Sequence, residues 1–245
     1  MSKLKDVVPY AGMEMNKKGQ VALMFDNIAQ SYDRLNQVLS LGIDRYWRWR
    51  AIRYLKDVQP QTILDVATGT ADLAIATAKQ LQPTLIVGVD ISEKMLDYGR
   101  IKVKNAALDK IITLKTGDAE NLSFSSNTFD AITVSFGVRN FENLEKGIAE
   151  LYRVVRSGGR LVVLEFSKPQ TPGIKQLYNF YFTHILPRIG RLVSKDTSAY
   201  TYLPQSVQAF PQGAEFVQIL TKNGFKTAKC IRLTFGICSI YIADK

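Results

Sequence analysis

Asp90, Asp118 and Ser135 each stand at or just past the end of a short apolar run, in LIVGVD, ITLKTGD and FDAITVS. A further run, ILDV, opens into the small-residue loop Ala67-Thr68-Gly69-Thr70-Ala71. Small side chains let backbone N–H groups come close to a nucleotide-like ligand. A carboxylate at a strand end can accept hydrogen bonds from both hydroxyls of a ribose, the part that falls to Asp90. Asp118 suits an exocyclic amino group with Ala119 against the ring face, and Ser135 stands where the reactive end of such a ligand would lie. Asp65, inside the first run, is placed to tie down the N–H groups of the loop that contains Gly69. Plainer readings exist: Asp90 could cap the next helix, and Asp118 could only shape a turn. An acidic or small polar residue at four successive strand ends favours a ligand.

The loop also discriminates between ligands. A dinucleotide fingerprint needs G-x-G-x-x-G, but the register from Gly69 gives Gly69, Ala71 and Ala74, which puts alanine at the pyrophosphate approach. An adenosine ligand without a pyrophosphate, S-adenosylmethionine, fits better.

These residues need a scaffold, and residues 61–166 provide one. TILDVA, TLIVGVD (84–90), IITLKTGD (111–118), FDAITVSF (129–136) and GRLVVLEF (159–166) read as strands, with amphipathic helical stretches between them. Such alternation predicts an α/β fold with a mainly parallel sheet covered on both faces. After a helix near 212–223, FKTAKCIRL and GICSIYIAD flank Thr234-Phe235-Gly236 as an antiparallel hairpin at the sheet edge. That layout is the Rossmann-like class I methyltransferase fold, in a single domain over 1–245. Two segments lie outside the sheet, a helical N-terminal cap (20–57) and an insertion after the fifth strand (168–211). Both are expected at the carboxyl edge of the sheet, where α/β proteins bind ligands.

Composition narrows the class. The 245 residues are 46% hydrophobic and 22% charged, which indicates a soluble globular chain. Two cysteines eight apart and one histidine argue against a zinc site or a disulfide framework, so no metal is expected. No signal peptide or spanning run is visible, which predicts a cytoplasmic location. The net charge of +10 asks for an acidic partner. Trp47, Arg48, Trp49 and Arg50 would serve an RNA-binding module or a nucleic-acid methyltransferase, but no amino-methylating N/D-P-P-Y/F motif, catalytic Pro-Cys or RNA-binding module accompanies them. A non-enzymatic partner protein of the same fold is disfavoured by the intact strand-end residues. The sequence leaves open whether the chain forms a homo-oligomer.

The runs SYDRLNQVLSLGIDRYWRW, DVATGTADL, FDAITVSFGVRNF, LYRVVRSGGRLVVLEFSKP, HILPRIG and AYTYLPQSV together resemble the ubiquinone/menaquinone biosynthesis C-methyltransferase family over nearly the whole chain. The C-terminal FGICSIYIADK is most similar to the cyanobacterial and plastid branch, which methylates demethylphylloquinol. The resemblance implies cofactor contacts at Thr70, Asp90, Asp118, Ala119 and Ser135. It implies a prenylated naphthoquinol substrate, demethylphylloquinol first, with demethylmenaquinol or a benzoquinol as the alternative. Asp44 stands where many members have His, and Ala71 where Gly is usual.

Such a reaction needs electron density on a ring carbon, so the substrate must be the reduced quinol, made more reactive by loss of a hydroxyl proton. Arg139, directly after the fourth strand, is placed to stabilise the phenolate, and Asn140 to orient the quinol oxygen. His184 is the side chain whose ordinary pKa suits a general base, although a histidine packed on an amphipathic helix is the plainer reading and is preferred to it. Tyr32 and Tyr200 are candidates to line the substrate site. The substrate's tail resides in lipid, which predicts a peripheral protein on an anionic membrane surface, drawn there by Arg45, Arg48, Arg50 and Arg53.

Overall fold

Seven strands, β1 (Thr62–Val66), β2 (Leu85–Asp90), β3 (Ile112–Thr116), β4 (Phe129–Ser135), β5 (Val155–Phe166), β6 (Thr227–Leu233) and β7 (Cys238–Asp244), form one sheet in the order β3-β2-β1-β4-β5-β7-β6. The structure is a computed structural model that describes residues 4–40, 42–181, 184 and 198–245. Pairings from β3 across to β5 are parallel. β7 runs antiparallel to both β5 and β6, so the predicted hairpin places its second strand inside the sheet and its first at the edge. β5 begins at Val155, ahead of the glycine pair, and its pairing with β4 shifts register between Phe129 and Ala131. Gly159 fits that shift because a Cβ there would lie 2.7 Å from the Asp130 carbonyl oxygen.

The period-two alternation of the strands sends their side chains into two layers. Leu64, Val66, Val87 and Val89 face one layer, closed by Ile148 and Leu151 of α5 (Leu144–Val154) and by Phe216 and Leu220 of a late helix, Ala214–Lys222. Ile63 and Ile86 face the other layer, with Ala74 and Ala78 of α3 (Asp72–Leu81) and Trp47 and Ala51 of α2 (Ile43–Arg53). A third cluster joins Val21, Met24 and Ile28 of α1 (Lys17–Ser40) to Ala199, Tyr200 and Tyr202 of the helix Ser198–Ala209. With α4 (Glu93–Asn105) and α6 (Ile174–Phe180) placed, these last two helices in chain order are α7 (Ser198–Ala209) and α8 (Ala214–Lys222).

From β1 the chain first moves outward through β2 to β3 and then returns to β4 on the opposite side. The carboxyl ends of β1 and β4 therefore flank the point where the winding reverses, the position at which open α/β sheets bind ligands.

Candidate active site

The loop after β1 is shaped by left-handed residues at alternate positions: Ala67 (φ 54°), Gly69 (φ 55°) and Ala71 (φ 65°). For alanine this conformation costs about 1–2 kcal/mol, a strain that persists where surrounding structure enforces it. The expected glycine at position 71 has its reason here, because φ 65° is a region glycine adopts freely. Gly137, after β4, presses on this loop; a Cβ there would lie 2.5 Å from the Ala67 Cβ.

Asp65 and Asp90 hold the loop from below. The fully buried Asp65 does not take the loop N–H groups expected of it: it accepts the hydroxyls of Thr68 and Thr133, each at 2.6 Å, and burial raises its pKa to about 6. Asp90 accepts the Gly69 N–H at 2.8 Å on one oxygen and the Ser92 N–H at 2.9 Å on the other. Burial raises its pKa as well. The cap of α4 is Ser92, whose hydroxyl oxygen accepts the Met95 N–H, so Asp90 is left to the loop and to a crevice above it.

That crevice is lined by Gly69, Asp90, Asp118, Ala119, Ser135 and Asn140, among others. Within it the buried Ser135 Oγ and Asn140 Oδ1 have no hydrogen-bond partner among the described residues. A buried polar atom left unpaired costs about 1–3 kcal/mol, and a polar ligand offsets that cost. Asp90 carboxylate oxygens, a small apolar face at Ala119 and two unpaired polar atoms fit the ribose, base and charged end of S-adenosylmethionine. Asp65 and Thr70 line a smaller adjoining space that shares Gly69 and Ser135 with the crevice.

Helix α1 covers this region and is fastened at three points. Lys18 pairs with Asp118 at 2.6 Å, and the Ser92 hydroxyl donates to Asp26 at 2.6 Å. The Thr70 hydroxyl donates to Asp33 at 2.6 Å, and Lys102 joins Asp33 at 2.7 Å. Thr70 thus ties the loop to α1 through its side chain. Asp118 has a double part, since its other oxygen accepts the Glu120 N–H at 2.9 Å and shapes the turn.

Tyr32 and Phe136 belong both to the crevice and to a much larger cavity of about 420 Å³. Its walls come from α1, α2, α6, α7, the end of β5 and the turns after β4 and β6. One wall is an aromatic cluster in which Phe136 and Phe166 lie 4.5 Å apart and Trp47 stands 6.1 Å from each. The Trp47 indole N–H is held by the Thr234 hydroxyl at 2.7 Å. This volume and lining are those of a small-molecule site for an apolar aromatic ligand.

Tyr32, Arg139 and Tyr200 all line this cavity, while Asn140 faces the crevice. Arg139 is not a free charge. Its guanidinium donates to Glu165 Oε1 at 2.7 Å and to the Phe136 carbonyl, and it lies 5.5 Å from the centre of the Phe166 ring. Glu165, wholly buried at the end of β5, extends the pattern of polar strand ends to a fifth strand, and the lone acid in the apolar run VVLEF is the signal that marks it. His184 is exposed, stacks on Phe180 with ring centres 5.0 Å apart, and is not among the described residues lining the cavity. Asp44 lies on the cavity wall, paired with Arg48 and accepting the Ser40 hydroxyl at 2.7 Å.

Arg48 departs from its expected place on a membrane-facing surface. It is buried between Asp44 and Asp72, so its charge is neutralised within the fold and does not reach lipid head groups. Pro187, Arg188 and Arg191 of the insertion lie outside the described residues, as does most of HILPRIG. No group of His, Cys, Asp and Glu among the described residues is arranged to hold a metal ion.

The sequence model of the ubiE/COQ5 methyltransferase family matches residues 13–245. A demethylmenaquinone methyltransferase of Bacteroides fragilis is 50% identical, covering 98% of this chain and 97% of that one. A ubiquinone/menaquinone biosynthesis C-methyltransferase UbiE of Geobacter sulfurreducens is 42% identical, covering 94% and 91%. Among solved structures, a SAM-dependent methyltransferase of Aquifex aeolicus superposes with a TM-score of 0.55 at 18% identity, covering 75% of this chain and 81% of that one, a likeness of fold.

Proposed function

The chain belongs to the ubiE/COQ5 methyltransferase family, and we propose that it transfers a methyl group to a ring carbon of a prenylated demethylnaphthoquinol, specifically a demethylmenaquinol. The fold is that of class I S-adenosylmethionine-dependent methyltransferases, and the enzyme uses that methyl donor. Relatives named demethylmenaquinone methyltransferase favour the demethylmenaquinol alternative over the demethylphylloquinol branch that the C-terminal run resembles. The observation that carries the reading is the large aromatic-walled cavity meeting the cofactor crevice at Tyr32 and Phe136.

The chemistry follows from that junction. When bound, S-adenosylmethionine supplies an electrophilic methyl group at its sulfonium. Phe136, Phe166 and Trp47 give a flat bicyclic ring an apolar aromatic wall to lie against and exclude water from it, which strengthens every charge interaction there. The ring oxygen gives up its proton, and the charge it shares with the neighbouring ring carbon directs that carbon at the methyl group. Arg139, held rigid by Glu165, stabilises the developing phenolate. Asp44 is the acidic side chain among the described residues of the cavity wall and is our candidate to take the hydroxyl proton. With the methyl donor bound, a C–C bond would form as the S–C bond breaks; loss of the ring C–H proton, which passes out to solvent, would restore aromaticity, and the proton held by Asp44 would return to the ring oxygen.

An oxidised quinone has no such electron density to offer. With labelled S-adenosylmethionine, transfer is expected for a demethylnaphthoquinone kept reduced by dithionite and not for the same quinone under air. Equal turnover in air, or label going to RNA and not to the quinol, overturns the reading.

The tail must leave the cavity toward lipid. Ile43 and Leu177 line the cavity and are also exposed, by 38% and 68%, and Tyr46, Trp49 and Phe180 are exposed nearby in sequence on the same helices. Trp49 stacks on Tyr46, and the Arg53 guanidinium lies 4.9 Å from the Trp49 ring centre. Aromatic side chains interleaved with Arg45, Arg50 and Arg53 suit an anionic membrane surface. Among the described residues no helix is long and apolar enough to cross a bilayer. Replacing these three arginines with glutamine is expected to weaken partition onto anionic liposomes by about 1 kcal/mol per charge at low salt. Flotation that does not depend on salt or on these residues removes the electrostatic part of the proposal.

A further inference from the structure

We propose that the hydroxyl of Tyr202 and the Nε–H of Arg139 form a two-donor pocket for the ring oxygen of the hydroquinone, which makes Tyr202 a catalytic residue. This rests on the reading that a reduced naphthoquinone occupies the large cavity.

Tyr202 is 2% exposed, and its hydroxyl has no hydrogen-bond partner among the described residues. Arg139 shows the same feature at one atom. Its terminal nitrogen is committed to Glu165 and to the Phe136 carbonyl, yet its buried Nε–H is unpaired. Both residues line the same cavity, and α7, which carries Tyr202, packs on the Val138–Asn140 turn, which carries Arg139. Two other buried polar side chains do have partners: the Trp47 indole N–H donates to Thr234, and the Tyr241 hydroxyl accepts the Gly213 N–H at 2.9 Å. These two donors are buried without a partner on residues that line one apolar cavity, which is how a site looks before its polar ligand atom arrives.

The donors are chemically suited to an anion. Burial raises the Tyr202 hydroxyl above the ordinary phenol range, with only partial relief from the Arg139 charge, so at neutral pH it is protonated and donates. It is no base. Preorganised donors in a dry cavity favour the phenolate over the neutral hydroquinone, and the phenolate is the form whose ring carbon attacks. The ring of Tyr202, packed against Val21, Met24 and Ile28 of α1, cannot swing away from that position without breaking the cluster.

The test is Tyr202→Phe, which keeps the ring and removes one oxygen. Single-turnover methyl transfer is expected to fall roughly 30- to 100-fold, with the quinol KM and cofactor Kd within about threefold of wild type. The Tm is expected to stay equal or rise, because an unpaired buried hydroxyl is removed. A second measurement does not use the methyl donor: 2-naphthol bound in the cavity is titrated by its naphtholate absorbance. Its bound pKa should be lower in wild type than in Tyr202→Phe by about one unit or more. Rates within threefold, equal naphthol pKa values, or no binding of naphtholate to wild type each overturn the proposal. If wild type methylates no quinol while the naphthol shift persists, the substrate reading fails and the oxyanion pocket stands.

Discussion

Arg139→Leu is expected to cost the fold about 3–5 kcal/mol and the methyl-transfer rate roughly two to three orders of magnitude. The stability loss comes from what is left behind. Glu165 is wholly buried, and its carboxylate accepts from the Arg139 side chain at 2.7 Å, the Phe166 N–H at 2.8 Å and the Arg139 N–H at 3.3 Å. Without the guanidinium, two backbone donors face an uncompensated charge in an apolar layer. The rate loss has a separate origin, removal of the positive charge beside the ring oxygen. Arg139→Leu combined with Glu165→Leu separates the two, because deleting both charges removes the stranded carboxylate. Urea unfolding is expected to show stability returning toward wild type in the double variant, while single-turnover rates stay low. Recovery of both stability and rate would show that the arginine acts only through the fold.

Asp90→Ala is expected to weaken S-adenosylmethionine binding by about 1.5–3 kcal/mol, on the order of 10- to 150-fold in Kd. Two contributions add. Two ribose hydroxyls lose a charged acceptor, and the Gly69 and Ser92 N–H groups, now at 2.8 and 2.9 Å from the carboxylate, lose theirs. Since Gly69 lies in the strained 67–71 loop, the loop is also freer to relax from its left-handed conformations. Asp90→Asn keeps one acceptor oxygen and is expected to fall between. Calorimetry with a folded Asp90→Ala protein that binds the cofactor as tightly as wild type would remove Asp90 from the site.

The amino-acid sequence by itself determined the scaffold. Alternating apolar residues such as those of β1 and β2 have a period of two that fixes which side chains enter which layer, and this signal is local. The polar strand ends were legible for the same reason: Asp90, Asp118 and Ser135 interrupt apolar runs where a sheet edge must fall. The rule held at Glu165 too, where an acid closes VVLEF, and applied there it would have placed the arginine's partner.

Only the tertiary structure decided what each charge does. Arg45, Arg48, Arg50 and Arg53 look alike in RYWRWRAIR, but the turn of α2 buries Arg48 between Asp44 and Asp72, 24 residues away in the chain, and leaves Arg45 and Arg53 in solvent. Tyr200 and Tyr202 are equally indistinguishable as letters, and the unpaired hydroxyl of Tyr202 beside Arg139 exists only because α7 packs on a turn some 60 residues earlier. Hydrogen-bond satisfaction is a property of atoms brought together across the chain, so no local pattern encodes it. His184 shows the converse: a side chain with suitable intrinsic chemistry that the described structure leaves exposed against Phe180. Intrinsic pKa is written in the residue type, whereas access to a reacting atom is set by packing.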